Sequence, residues 1–109
     1  MIGTMQDCKV NILGTEYSVF FDLQDEEADG EARFYKKEIH IRPVDKMLDD
    51  ESTHEEKVRR AKEVYRHELF HCALFEMGAD EWSRDENLIS LLAINSPKIF
   101  KAFQELDIL

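Results

Sequence analysis

One long helix constrains the fold of this chain more than any other feature. Thr53 and Glu56 have the spacing of a capping box, in which each side chain accepts a hydrogen bond from the other residue's backbone N–H. Gly78 stands just past the last residue of the helical pattern, where glycine commonly ends a helix. The two signals predict an uninterrupted helix from about Glu55 to Met77.

The C-terminal half of this helix contains the segment His67-Glu68-Leu69-Phe70-His71. Residues four apart on an α-helix lie about 40° apart around the axis and roughly 6 Å along it, so both imidazoles could bind one metal ion. Glu68 lies about 100° round from His67, where it could take a proton from a metal-bound water without binding the ion. The spacing indicates zinc; the alternative is a pair of hydrogen-bonded core histidines.

A catalytic zinc site needs a third protein ligand and one open position for water. Four acidic residues follow the helix closely, namely Asp80, Glu81, Asp85 and Glu86. We favour Glu86, because a carboxylate in the first turn of an antiparallel neighbouring helix could face both histidines. The same residue stands three after Ser83, so it could instead complete a capping box at the start of that helix.

With these residues in view, the chain resembles the HExxH…E arrangement of gluzincin-type zinc metallopeptidases. It is most similar in pattern to the small ImmA/IrrE-like and related phage-type metallopeptidases. Arg66 precedes the motif, Gly78 closes the helix and Glu86 lies on the next helix, as in that pattern. The resemblance covers roughly residues 65–100 and extends more loosely to the strands upstream.

The resemblance implies a role for each residue of the site. Zinc would be bound by His67, His71 and Glu86, and Glu68 would be the general base in hydrolysis of a peptide bond. The substrate would be a peptide or protein, with a regulatory protein as the family-based expectation. Many gluzincins orient a ligand histidine with an aspartate four residues after the glutamate; Ser90 stands there and can hydrogen-bond but carries no charge.

Upstream of the helix, apolar residues alternate with a period of two, which is typical of β-strands. A hairpin is predicted around the turn Gly14-Thr15, and further strands around Phe34 and over Glu38–Arg42. The last of these strands could be an ordinary edge strand or, by resemblance, the shelf on which a substrate lies. His40 could reach the metal as a third ligand or stabilise an oxyanion.

Downstream, the segment Gly78–Ser83 is predicted to be a turn, followed by a helix that starts near Glu86. Asn95, Ser96 and Pro97 predict an interruption, because proline is favoured in the first turn of a helix and disfavoured inside one. A last helix would then run from Pro97 to about Leu106. The fold prediction is α+β and minimal zincin-like: a small antiparallel sheet packed on the long motif helix, with two further helices.

Size and charge narrow the function further. The chain has 109 residues, of which 43% are hydrophobic, so we expect one domain over residues 1–109. We expect no membrane span and no signal peptide in the stretch from Met1 to Asp7, hence a cytoplasmic protein. The formal charge of −10 disfavours nucleic acid as a partner. The oligomeric state has no sequence signal.

Two acidic runs, Asp22–Glu31 and Asp45–Glu56, contain six acids each. They could be solvated loops, or a surface that mimics DNA or binds a basic partner. The second function hypothesis is therefore a non-enzymatic, acidic regulatory or interaction protein that uses zinc for stability. The third is an α+β protein without metal.

Overall fold

The computed structural model describes residues 5–109, so Met1–Thr4, where no signal peptide is expected, lie outside the described residues. These residues form an α+β fold with one mixed sheet and three helices, and α+β is the fold class that the sequence predicts. Among residues 5–109, no helix is both long and apolar enough to cross a membrane. The elements are β1 (Cys8–Ile12), β2 (Thr15–Phe20), β3 (Gly30–Arg33), β4 (Glu38–Ile41), a 3₁₀ turn (Val44–Lys46), α1 (His54–Glu76), α2 (Asp80–Ser83) and α3 (Glu86–Glu105).

The four strands are ordered β1-β2-β4-β3. The β1–β2 and β3–β4 pairs are antiparallel, but β2 and β4 run parallel, so the prediction of a purely antiparallel sheet is wrong at its centre. On β4, the side chains of Ile39 and Ile41 are fully buried, whereas β3 contains the charged residues Glu31 and Arg33. The β3–β4 hairpin therefore docks with its apolar strand inside and its polar strand at the edge.

Helix α1 packs across the sheet with the boundaries that its end signals predict. Thr53 Oγ1 accepts a hydrogen bond from the backbone N–H of Glu56 at 3.1 Å, and the carboxylate of Glu56 accepts one from the backbone N–H of Thr53 at 2.7 Å. Gly78 adopts a φ of +83°, a left-handed conformation that favours glycine. The core between helix and sheet contains Tyr17, Val19, Ile39, Ile41, Ala61, Val64 and Cys72.

The C-terminal end of α1 is tied to the sheet through one carboxylate. Glu76 accepts hydrogen bonds from Thr15 Oγ1 at 2.8 Å, Tyr17 Oη at 2.6 Å and Lys37 Nζ at 2.8 Å. The bonds from Lys37, Tyr17 and Thr15 stabilise the ionised form and lower the pKa of Glu76 to about 2. The helix end thus keeps a fixed position relative to β2.

The helices after α1 differ from the sequence prediction. The predicted turn at Gly78–Ser83 contains the short helix α2, and α3 runs without interruption from Glu86 to Glu105 with Pro97 inside it. The prediction of a break at Pro97 is wrong, because the main energetic cost of a proline inside a helix, the lost backbone hydrogen bond, is offset here. Pro97 has no N–H to donate to the carbonyl of Ala93, and Arg66 Nε donates to that carbonyl instead, at 2.7 Å.

This pairing predicts energetic coupling between Arg66 and Pro97. Replacing Arg66 with methionine leaves the Ala93 carbonyl without its donor and should lower the free energy of unfolding by about 1–3 kcal/mol. In a Pro97→Ala background the backbone N–H at position 97 can bond to that carbonyl, so the same Arg66→Met change should cost less. Urea denaturation of the four proteins measures the coupling, and strictly additive effects would contradict the account.

Candidate metal centre

Three side chains from two helices converge on one point. His67 Nε2 lies 2.9 Å from Glu86 Oε1, and His71 Nε2 lies 3.2 Å from Glu86 Oε2. The two Nε2 atoms are 3.2 Å apart. One ligand atom from each residue lies within 4.8 Å of the others, so the group could hold a metal ion.

The spacing of these atoms can be compared with that of a metal site. Ligand atoms bound tetrahedrally at about 2.0–2.1 Å from zinc lie roughly 3.3–3.4 Å from one another. The separations of 2.9–3.2 Å are therefore only a few tenths of an ångström short of that value. Two imidazoles and one carboxylate fit a zinc site with an open fourth position, although such a donor set also suits other transition metals.

Glu86 is brought to the histidines because another residue caps its helix. Asp85 is the N-cap of α3, and its carboxylate accepts hydrogen bonds from the backbone N–H groups of Asn87 and Leu88, both at 3.1 Å. The capping alternative for Glu86 with Ser83 is therefore wrong. Of the other acids considered, Asp80 pairs with Arg84 at 3.2 Å.

The imidazole of His71 is oriented by a backbone group that sequence reasoning missed. Its Nδ1–H donates to the carbonyl of Ser83 at 2.5 Å, which leaves the Nε2 lone pair directed at His67 and Glu86. Ser90, which stands where many gluzincins have an orienting aspartate, lines the adjoining cleft. A backbone carbonyl leaves no mark in side-chain chemistry, so nothing in the sequence could have identified Ser83.

Glu68 lies beside this centre but points into a more apolar environment. The residue is buried, and its pKa is raised to about 8, first by burial and then by the negative charges of Glu86 and Glu31. A divalent cation held by the three ligands would add positive charge nearby and lower this pKa again. Burial thus favours the protonated carboxyl of Glu68 in the metal-free site, and a bound cation would favour the ionised form that a general base requires.

A cleft of about 680 Å³ opens in front of the four residues, between β3, α1 and the first half of α3. Strand β3 forms one rim, and Glu31 and Ala32 lie along it. The backbone N–H of Arg42 donates to the Asp29 carbonyl at 2.8 Å. Bonding alternates along an antiparallel pair, so the backbone groups of Gly30 and Ala32 point away from β4, towards the free edge.

The strand over Glu38–Arg42 is not the rim of the cleft. Strand β4 lies between β2 and β3 in the sheet, so the sequence-based expectation of an edge strand there is wrong. His40 on that strand is also held away from the centre, because its Nδ1 lies 2.7 Å from Asp22 and its Nε2 lies 2.9 Å from Glu38. Burial opposes its charged form, but the bonds to Glu38 and Asp22 outweigh this and raise the pKa of His40.

Comparisons with known proteins return no match to this chain. No family model, no curated protein and no solved structure matches it.

Gly30 sets how closely β3 can approach Glu68. A Cβ atom at position 30 would lie 2.8 Å from Cγ and Oε2 of Glu68 and 2.8 Å from Cγ1 of Val64. Gly30→Ala should therefore lower the free energy of unfolding by about 1–3 kcal/mol through overpacking. In a Glu68→Ala background part of the collision disappears, so we expect a smaller loss there in urea denaturation; an equal loss in both backgrounds would contradict the predicted contact.

Proposed function

We propose that this protein is a zinc-dependent peptidase in which His67, His71 and Glu86 bind the ion and Glu68 is the general base. The observation that carries the proposal is the convergence of the three ligands at 2.9–3.2 Å, with a buried carboxylate directly beside them in an open cleft. Zinc bound there would supply Lewis-acid activation of water and of the peptide carbonyl. The resemblance to gluzincins points to the same chemistry.

Each residue of the chain has a defined task in this proposal. Glu68 takes a proton from the attacking water and passes it to the nitrogen of the leaving amine. The Ser83 carbonyl keeps His71 in the tautomer that leaves Nε2 free to bind a cation.

The free edge of β3 supports a peptide as the substrate. Backbone groups of Gly30 and Ala32 that point away from β4 can pair with an extended chain lying in the cleft. Such pairing would recognise the main chain of a substrate, so an extended protein segment fits the site. The family resemblance favours a regulatory protein as that substrate. The proposal includes a cytoplasmic setting, in which the free thiols of Cys8 and Cys72 stay reduced.

A non-enzymatic role is the second candidate, and one observation favours it. The centre joins all three helices, since His67 and His71 lie on α1, the Ser83 carbonyl on α2 and Glu86 on α3. A metal ion bound there would cross-link α1 and α3 directly, with α2 attached through the hydrogen bond between His71 and Ser83, and would stabilise the fold whether or not catalysis followed. An acidic chain stabilised in this way could act by binding a partner.

The isosteric variant Glu68→Gln separates the two candidates. We expect zinc-loaded wild-type protein to cleave members of a mixed peptide library, and Glu68→Gln to retain zinc but cleave about 10²-fold or more slowly. Glu81→Gln, an exposed change on α2, is the matched control and should cleave as wild type does. Mass spectrometry of the digests measures both, and zinc-loaded wild type that yields no fragments beyond those of Glu68→Gln would favour the structural role.

A further inference from the structure

The second half of α3 leaves an apolar face without a partner in the described part of the chain. The stripe of α3 that packs towards α1 contains Ile89, Ala93 and Ser96, all buried. Phe100 and Phe103 continue the stripe at the same alternating spacing of four and three residues, as in a coiled-coil seam. Phe100 is nevertheless 50% exposed, so this part of α3 extends beyond the packed core.

Apolar side chains flank this continuation of the seam. Ile99 and Leu106 lie on the same side of the helix and are 44% and 68% exposed, and Ile108 and Leu109 beyond the helix end are 63% and 76% exposed. The first half of α1 is mostly charged, so it provides little apolar surface for this end of α3 to pack against. Contiguous apolar surface of this kind marks an interaction site.

We infer that this face, defined by Ile99, Phe100, Phe103 and Leu106, is where two copies of the chain associate through antiparallel packing of their α3 helices. A two-fold axis near Phe100 and Phe103 would place the pair of one copy against the pair of the other. The two rings already contact each other edge to face, with centroids 6.2 Å apart, so the interface would centre on four phenyl rings.

Charge favours a second copy as the occupant. The chain as a whole carries a formal charge of −10, so most of its surfaces repel a second copy. Residues 97–109 carry two lysines, Lys98 and Lys101, and two acids, Glu105 and Asp107, which cancel locally. A neutral, apolar helix face is self-complementary, as a two-fold interface requires, whereas a basic partner would be drawn to the acidic runs elsewhere.

The available area sets the expected strength of the dimer. Together with Ile108 and Leu109 next to it, the face offers five exposed apolar side chains of on the order of 100 Å² each, hence roughly 500 Å² per copy and about 1,000 Å² in total. That value is near the lower bound for a specific interface. We therefore expect a weak, concentration-dependent dimer, with a dissociation constant in the micromolar range or above.

Sedimentation equilibrium of the full chain, from micromolar to millimolar concentration, tests the inference. Wild type should shift from monomer to dimer, and Phe100→Glu should raise the dissociation constant by about tenfold or more. Leu91→Glu is the matched control, because Leu91 is 60% exposed on the same helix but about 180° round from Phe100. It should leave the dimer unchanged.

A second variant and a salt series complete the test. Leu106→Glu lies beyond the packed domain, so it should weaken the dimer without shifting the urea midpoint, even if Phe100→Glu disturbs folding. Because the face is uncharged, raising the salt concentration should not weaken the dimer. A wild type that stays monomeric throughout, a Leu91→Glu effect equal to that of Phe100→Glu, or dissociation by salt would each overturn the inference.

Discussion

The structure depends on the meeting of two imidazole nitrogens and one carboxylate at separations of 2.9–3.2 Å. His71 donates its Nδ1–H to Ser83, so its Nε2 lone pair faces the Nε2 of His67. Two nitrogen lone pairs and a carboxylate can share that space only with a proton or a cation between them. This arrangement positions α2 and the start of α3 relative to α1. Helix α2 contributes the Ser83 carbonyl that orients His71, and α3 contributes the carboxylate of Glu86.

Other contacts hold the walls of the cleft around this arrangement. Arg66 fixes the middle of α3 on α1 by donating to the Ala93 carbonyl, which Pro97 leaves without a helical donor. On the other side, Gly30 allows β3 to approach Glu68 more closely than any side chain would permit. The cleft therefore places a free strand edge beside a buried carboxylate, and the same residues that stabilise the fold define the site.

Sequence reasoning succeeded where the signal is local and failed where it depends on distant contacts. The ends of α1 were predictable from Thr53 and Gly78, because caps act within one helical turn. Glu86 was favoured by its chemistry and does lie beside the two histidines, but only the structure shows that Asp85 takes the capping role. The parallel pairing of β2 with β4 and the continuity of α3 through Pro97 were not predictable, since one depends on how a hairpin docks and the other on Arg66, far away in sequence.

The most direct test of the account is the zinc content of the purified protein, determined by elemental analysis after zinc addition and removal of unbound metal. Wild type should hold about one zinc per chain, and His67→Ala and Glu86→Ala should each lose it, because two remaining ligands bind zinc weakly. Glu81→Ala, which removes an exposed carboxylate of α2, should keep it. Wild type without zinc, or Glu86→Ala with a full complement, would contradict the three-ligand centre.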